Sequence, residues 1–173
     1  DSAGTVIADV FSAILRLNAS KWQQALIDKG LATYADLNYV TNKYVGPIQV
    51  FAVPNPGKMK EFYRELMNQI SHLGDADYFT EEQIATAKEV LRRNQIRSKE
   101  KPASLPSQLT YQWCSTSLDY FTDYAAACQA VCKDDLVNYA KKYLVDKPFV
   151  AGMIINAEMN KQLKPGDYFK NDK

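Results

Sequence analysis

The sequence predicts an α+β domain in which a small antiparallel or mixed sheet carries helices on one face. Three observations predict it. Apolar residues recur at spacings of three and four over most of the chain, the pattern of amphipathic helices. Two early runs, Leu31 to Val40 and Ile48 to Val53, read instead as strands. A third apolar run, Phe149 to Ile155, reads as a closing strand. Because a two-stranded sheet is marginal alone, this last strand is expected to join the hairpin.

In chain order, Ile7, Val10, Phe11, Ile14 and Leu15 predict one helix from Val6 to about Ile27, with Gly30 as its C-cap. Leu31, Ala35, Leu37 and Tyr39 then line one face of a strand, and Tyr34, Asp36 and Asn38 line the other. Thr41-Asn42-Lys43 is expected to turn the chain into Ile48–Val53, the antiparallel partner, and Pro54-Asn55-Pro56-Gly57 stops it. Met59, Phe62, Tyr63, Leu66, Met67, Ile70 and Leu73 make the apolar stripe of a helix from Lys58 to Leu73. Thr80 opens the next helix through a capping box with Gln83, and Arg92, Arg93 and Arg97 near its end complement the dipole.

The stretch Lys99 to Pro106 reads as a loop, followed by helices around Leu109–Ser117 and Tyr120–Val131. Leu136, Tyr139, Ala140, Tyr143 and Leu144 define one more helix, ahead of the Phe149–Ile155 strand. The helix lying between strands makes the whole similar to a ferredoxin-like unit whose first strand is missing from the chain. Residues 1–157 form the expected domain, and residues 158–173 a polar tail or linker.

The 173 residues suit one hydrophobic core. Twenty-one Lys and Arg face twenty Asp and Glu, and a formal charge of +1 gives no field for nucleic acid or anionic lipid. No window approaches the roughly 18 uninterrupted apolar residues of a membrane span. Cys114, Cys128 and Cys132 are an odd set, so they read as small buried apolar side chains rather than a disulfide framework.

A catalytic zinc site takes about three protein ligands and an open position for water. His72 is the one imidazole, placed in the last turn of its helix, and no H-x-x-E-H or H-E-x-x-H pair occurs. Nor is there a G-x-S-x-G elbow or a phosphate-cradling glycine loop. Glu81 and Glu82 read as helix-start charges, and the Arg92, Arg93, Arg97 and Lys99 cluster as a solvated helix end. Among eleven tyrosines, Tyr34 stands out, because a phenol on a polar strand face can donate to a peptide carbonyl. From the residues alone, this is an α+β domain with no self-contained active site.

Several segments nevertheless resemble one family. Ala8-Asp9-Val10-Phe11-Ser12-Ala13-Ile14-Leu15, followed by Trp22 through Gly30-Leu31-Ala32-Thr33-Tyr34, is similar to the helix and Gly-Leu-Ala-Tyr segment of the pitrilysin/insulinase-type (M16, processing-peptidase) zinc metallopeptidases. Phe79-Thr80-Glu81-Glu82-Gln83 resembles that family's Thr-Glu-Glu-Glu helix start. Val131 to Leu136 and Ala140 to Leu144 resemble its Val-Thr-x-Glu-Asp-Leu and Ala-x-x-Tyr-Leu segments, with Cys132 in place of the capping Thr. The resemblance implies a LuxS/MPP-like metallohydrolase fold and a non-catalytic, C-terminal-type domain that closes over a catalytic one. It also implies zinc in that catalytic partner domain, an extended peptide as substrate, and Tyr34 as a substrate-binding residue. The family's companion arginine falls on Ile27. That departure leaves a second expectation, an inert scaffold or protein-interaction domain of the same fold. Peptidases of this type occupy several compartments, and a bacterial cell envelope is the working expectation.

With one imidazole and scattered thiols, the chain alone is expected to be inactive and to bind no zinc stoichiometrically. Elemental analysis of the purified chain should find well under one zinc per molecule; tight one-to-one zinc would contradict this.

Overall fold

Helix α1 (Ser2–Leu15) sets the position of nearly everything else. Val10, Phe11 and Ile14 are fully buried, and they lie against β1 (Ala32–Tyr39), α4 (Glu81–Lys99), α6 (Leu118–Ala130) and α7 (Lys133–Tyr143). The Phe11 ring meets Phe79 edge-on at 5.2 Å and Tyr139 at 5.3 Å, a geometry aromatic pairs prefer. The remaining elements are α2 (Lys21–Gln23), β2 (Ile48–Pro54), α3 (Met59–His72), α5 (Leu105–Ser115) and α8 (Ala157–Leu163). This computed structural model describes residues 2–42, 44, 46–100, 102–103 and 105–163.

The architecture is α+β, with eight α-helices and one two-stranded antiparallel sheet among the described residues. β1 and β2 pair from Tyr39 opposite Ile48 to Ala32 opposite Pro54, with a bulge at Thr33. The bulge matters for the faces: beyond it Tyr34, Asp36 and Asn38 point one way, and Ala35 and Leu37 the other. Ala35 and Leu37 are buried beneath α1, as the alternation predicts.

The single helix expected from Val6 to Ile27 is in fact two pieces. α1 ends at Leu15, and α2 restarts at Lys21 and runs into a π-helical turn, Gln24–Asp28. Ser20 makes the break. Its hydroxyl donates to the Leu15 carbonyl at 2.9 Å and accepts from the Gln23 N–H at 3.1 Å, so it closes one helix and caps the next. Gly30 then adopts φ +68°, the left-handed conformation expected of a C-terminal glycine, and its N–H bonds the Ile27 carbonyl at 2.8 Å.

The expected closing strand is absent. Phe149–Ile155 forms no ladder, and Val150 and Ile154 are fully exposed. A strand needs a neighbour for its amide groups. On β1 the Trp22 indole N–H donates to the Ala35 carbonyl at 3.0 Å, so a side chain rather than a further strand satisfies that group. The short helix α8, Ala157–Leu163, begins at the last residue of the expected domain and runs into the expected polar tail. The turn at Thr41-Asn42-Lys43 lies partly outside the described residues, since Lys43 is not among them.

Elsewhere the boundaries agree with expectation to within a few residues. The capping box at Thr80 is present, with Gln83 Oε1 accepting from the Thr80 N–H at 3.1 Å and Thr80 Oγ1 from the Gln83 N–H at 3.2 Å. At α7 the Cys132 N–H donates to Asp135 at 2.8 Å, the carboxylate contact of a capping box, with Cys132 at the N-cap. Burial was expected of all three cysteines, yet only Cys128 is buried; Cys114 and Cys132 are exposed because they fall on outer positions of α5 and at the start of α7.

The indole that seals β1 has a measurable role. Trp22→Phe keeps most of the ring but orphans a buried carbonyl, and should lower unfolding stability by about 1–3 kcal/mol. Urea denaturation of both chains at equal pH checks it, and an unchanged midpoint would count against the bond.

Candidate functional site

The face of the hairpin turned away from α1 carries the candidate site. Tyr34 pairs directly with Val53, and Asp36 with Phe51, so these four side chains share one face. Tyr34 is 48% exposed, Phe51 61% and Val53 45%, an unusual amount of bare apolar surface for a two-stranded sheet. The Tyr34 and Phe51 rings lie 6.0 Å apart at a tilt of 59°. A peptide laid on this surface would find apolar contact with a phenol in its midst.

Beside the aromatic pair sits a charged clamp. Arg16, just past the end of α1, donates through Nε to Asp36 Oδ1 and through Nη2 to Asp36 Oδ2, both at 2.7 Å. This is the bidentate fork at which arginine excels. The two sides differ in exposure: the Asp36 side chain is 6% exposed and that of Arg16 55%. Asn38 Nδ2 adds a longer bond to Asp36 at 3.4 Å. The Arg16 hydrogen bonds hold the Asp36 carboxyl below its ordinary range, with smaller help from Asn38 and the Tyr34 phenol. Asp36 therefore stays ionised, and Tyr34 keeps a fixed anion next to it.

Tyr34 thus falls where sequence alternation puts it, exposed and on the polar face. Ile27 packs half-buried against the core in the π-helical turn and brings no charge to this face. The guanidinium that sits next to Asp36 is that of Arg16, which sequence reasoning did not single out. The pair is 20 residues apart, and only the break between α1 and α2 turns Arg16 back toward β1. Local pattern carried no signal of this pair, because an acidic residue on the polar face of a strand reads as solvated.

His72 is exposed at the end of α3, its Nδ1 2.7 Å from the Asn68 carbonyl oxygen. Arg92 is tied to Glu89 at 2.8 Å, the solvated helix-end arrangement expected of that cluster. Among the described residues no group of three or more His, Cys, Asp or Glu is placed to hold a metal ion. No helix among them is long and apolar enough to cross a membrane.

No family model and no curated protein matches the chain. Solved structures do. The inactive peptidase domain of a candidate zinc protease from Bordetella parapertussis aligns with a TM-score of 0.74 at 18% identity, covering 90% of this chain and 87% of that one. A candidate zinc protease from Bordetella pertussis Tohama I aligns at 0.69 and 20% identity, covering 83% of this chain and 80% of that one. A protease from Helicobacter pylori aligns at 0.69 and 23% identity over 81% of this chain. This chain spans about a third of that protein, 34% of its length. What is shared at such identities is the fold, and this chain has the α+β fold of zinc-protease peptidase domains.

The clamp should show itself in the pH dependence of stability. A carboxyl whose folded pKa lies below its ordinary 3.8 stabilises the fold above that value and loses the contribution as pH falls through the folded pKa. Asp36→Asn should therefore cost about 1 kcal/mol at pH 7, a figure lowered by solvent screening at the exposed guanidinium. The gap from the unsubstituted chain should close as pH drops below 3.8. Urea midpoints at pH 7 and pH 3 measure it, and a gap independent of pH would contradict the assignment.

Proposed function

We propose that this chain is the non-catalytic, substrate-enclosing domain of an M16-like zinc metallopeptidase. It closes over a catalytic domain, in the same parent chain or on a partner subunit, and holds an extended peptide between the two. Residues 1–157 act as the single domain, and 158–173 as a polar tail or linker. One observation carries this reading: Tyr34 stands exposed among Phe51 and Val53 on the unpacked face of the hairpin. The fold, shared with an inactive peptidase domain, supports the same reading.

The donor set of the chain does not suit the zinc of such an enzyme, because a single imidazole cannot form a catalytic site. The zinc belongs in the catalytic partner. The work left to this chain is positioning. Phe51 and Val53 would exclude water from one side of the peptide. The Tyr34 phenol would donate to a peptide carbonyl, held in register by the Asp36–Arg16 clamp beside it.

A second reading has one observation in its favour. Ile27 occupies the position where the resemblance places an arginine, and it is half-buried and uncharged. A scaffold or protein-interaction domain of the same fold would have no use for that arginine. The parent protein separates the two readings, since an enzyme requires an H-x-x-E-H motif in it or in its partner subunit.

In the assembled enzyme, Tyr34→Phe should leave the unfolding midpoint unchanged and lower kcat/KM for an unfolded peptide by about tenfold, the scale of one lost hydrogen bond. Unchanged cleavage would remove Tyr34 from the substrate site.

A further inference from the structure

Away from the hairpin face, a cavity of about 450 Å³ opens between α1, the C-terminal half of α4, α5 and α6. That is room for a small organic ligand. Asp9 projects into it from α1, and Tyr120, Phe121 and Tyr124 line it from α6. Amides on α4 and α5, Gln95 and Gln112 among them, supply further polar contacts. The Tyr111 hydroxyl donates to the Thr41 carbonyl and ties α5 to the segment after β1, which closes one wall.

Asp9 is the one charged side chain among the described residues that line this space. Its carboxylate accepts from the Tyr124 hydroxyl at 2.9 Å. The nearest guanidinium, Arg16, is committed to Asp36 and acts on Asp9 only through its field. Burial pushes the Asp9 carboxyl above its ordinary value and outweighs the opposing pull of the Tyr124 hydroxyl and of the Arg16 charge. The same acid helps to push the Tyr124 phenol up, after burial itself. An acid in this position favours a positive charge arriving from outside.

The walls suit that charge. Tyr120 and Tyr124 stand edge to face at 5.8 Å, and aromatic faces attract cations. Phe121 already has the Lys99 ammonium 5.2 Å from its ring centroid. An anion would meet Asp9 as the one charge among the described lining residues, Lys99 lying over Phe121 without being part of the lining, and a wholly apolar ligand would strip water from the carboxylate without replacing it. A bare divalent metal is disfavoured as well, since one carboxylate falls short of the oxygen set such ions take.

We propose that the Asp9 cavity binds an organic cation, an alkylammonium or guanidinium group carried on a short apolar stem. The charge pairs with Asp9, and the stem lies against Tyr120, Phe121 and Tyr124. Two sources share this chemistry: a free amine, and the Lys or Arg side chain of a peptide. The site uses none of the residues of the hairpin face, so it stands or falls apart from the peptidase reading.

Calorimetric titration of the chain with cadaverine and with the blocked tripeptide Gly-Lys-Gly tests it, with Gly-norleucine-Gly as the uncharged control. Saturable one-to-one binding of at least one cation is expected, and whichever binds identifies the source. Asp9→Asn, which keeps the side-chain shape, should weaken binding at least about tenfold while the circular dichroism spectrum is unchanged. Ser98→Trp, which fills the cavity from α4 without altering its charge, should abolish binding and covers the case in which Asp9→Asn does not fold. Equal affinity for the norleucine peptide, binding indifferent to Asp9→Asn, or no binding of either cation at concentrations on the order of 10 mM would overturn the proposal.

Discussion

A two-stranded hairpin does not hold itself up in water, and here the packing of α1 against β1 does it instead. Phe11 and Ile14 cover one side of the contact, Ala35 and Leu37 the other, and Trp22 seals it with an indole bond to the strand backbone. Because α1 also backs onto α4, α6 and α7, the helical layer is built on the same spine. One consequence is functional. With its inner face spent on the core, the hairpin has only its outer face to offer, and that face carries Tyr34, Phe51 and Val53.

The outer face also explains why a carboxylate lies buried next to exposed aromatics. Asp36 cannot be left without a counter-charge, and the break after Leu15 brings Arg16 to it in a two-point grip. The clamp fixes the strand beside Tyr34. Among the described residues no metal-holding group occurs, while the outer face of the hairpin is bare and partly apolar. On the proposed reading the two halves of the peptidase divide the labour between them.

Much of the fold was legible in the sequence because local pattern and burial agree. The alternation from Leu31 to Tyr39 sorted Tyr34 and Asp36 from Ala35 and Leu37, and Thr80 with Gln83 declared a helix start. What escaped were effects of sequence distance. Ser20 breaks a continuous helical pattern by bonding back to Leu15, a side-chain choice that periodicity cannot see. The apolar run Phe149–Ile155 has every local mark of a strand, yet a strand is a property of two segments, and no partner lies beside this one among the described residues. Arg16 was missed for a like reason, since its meaning depends on Asp36, 20 residues on.

The central claim is that the outer face of the hairpin is the peptide-contacting surface. Chemical-shift mapping addresses it directly: amide spectra of the labelled chain recorded while an unfolded, uncleaved peptide is added. The account predicts that the largest shifts fall on Tyr34, Asp36, Phe51 and Val53. Shifts confined to α3, α4 and α7, with the hairpin silent, would contradict it.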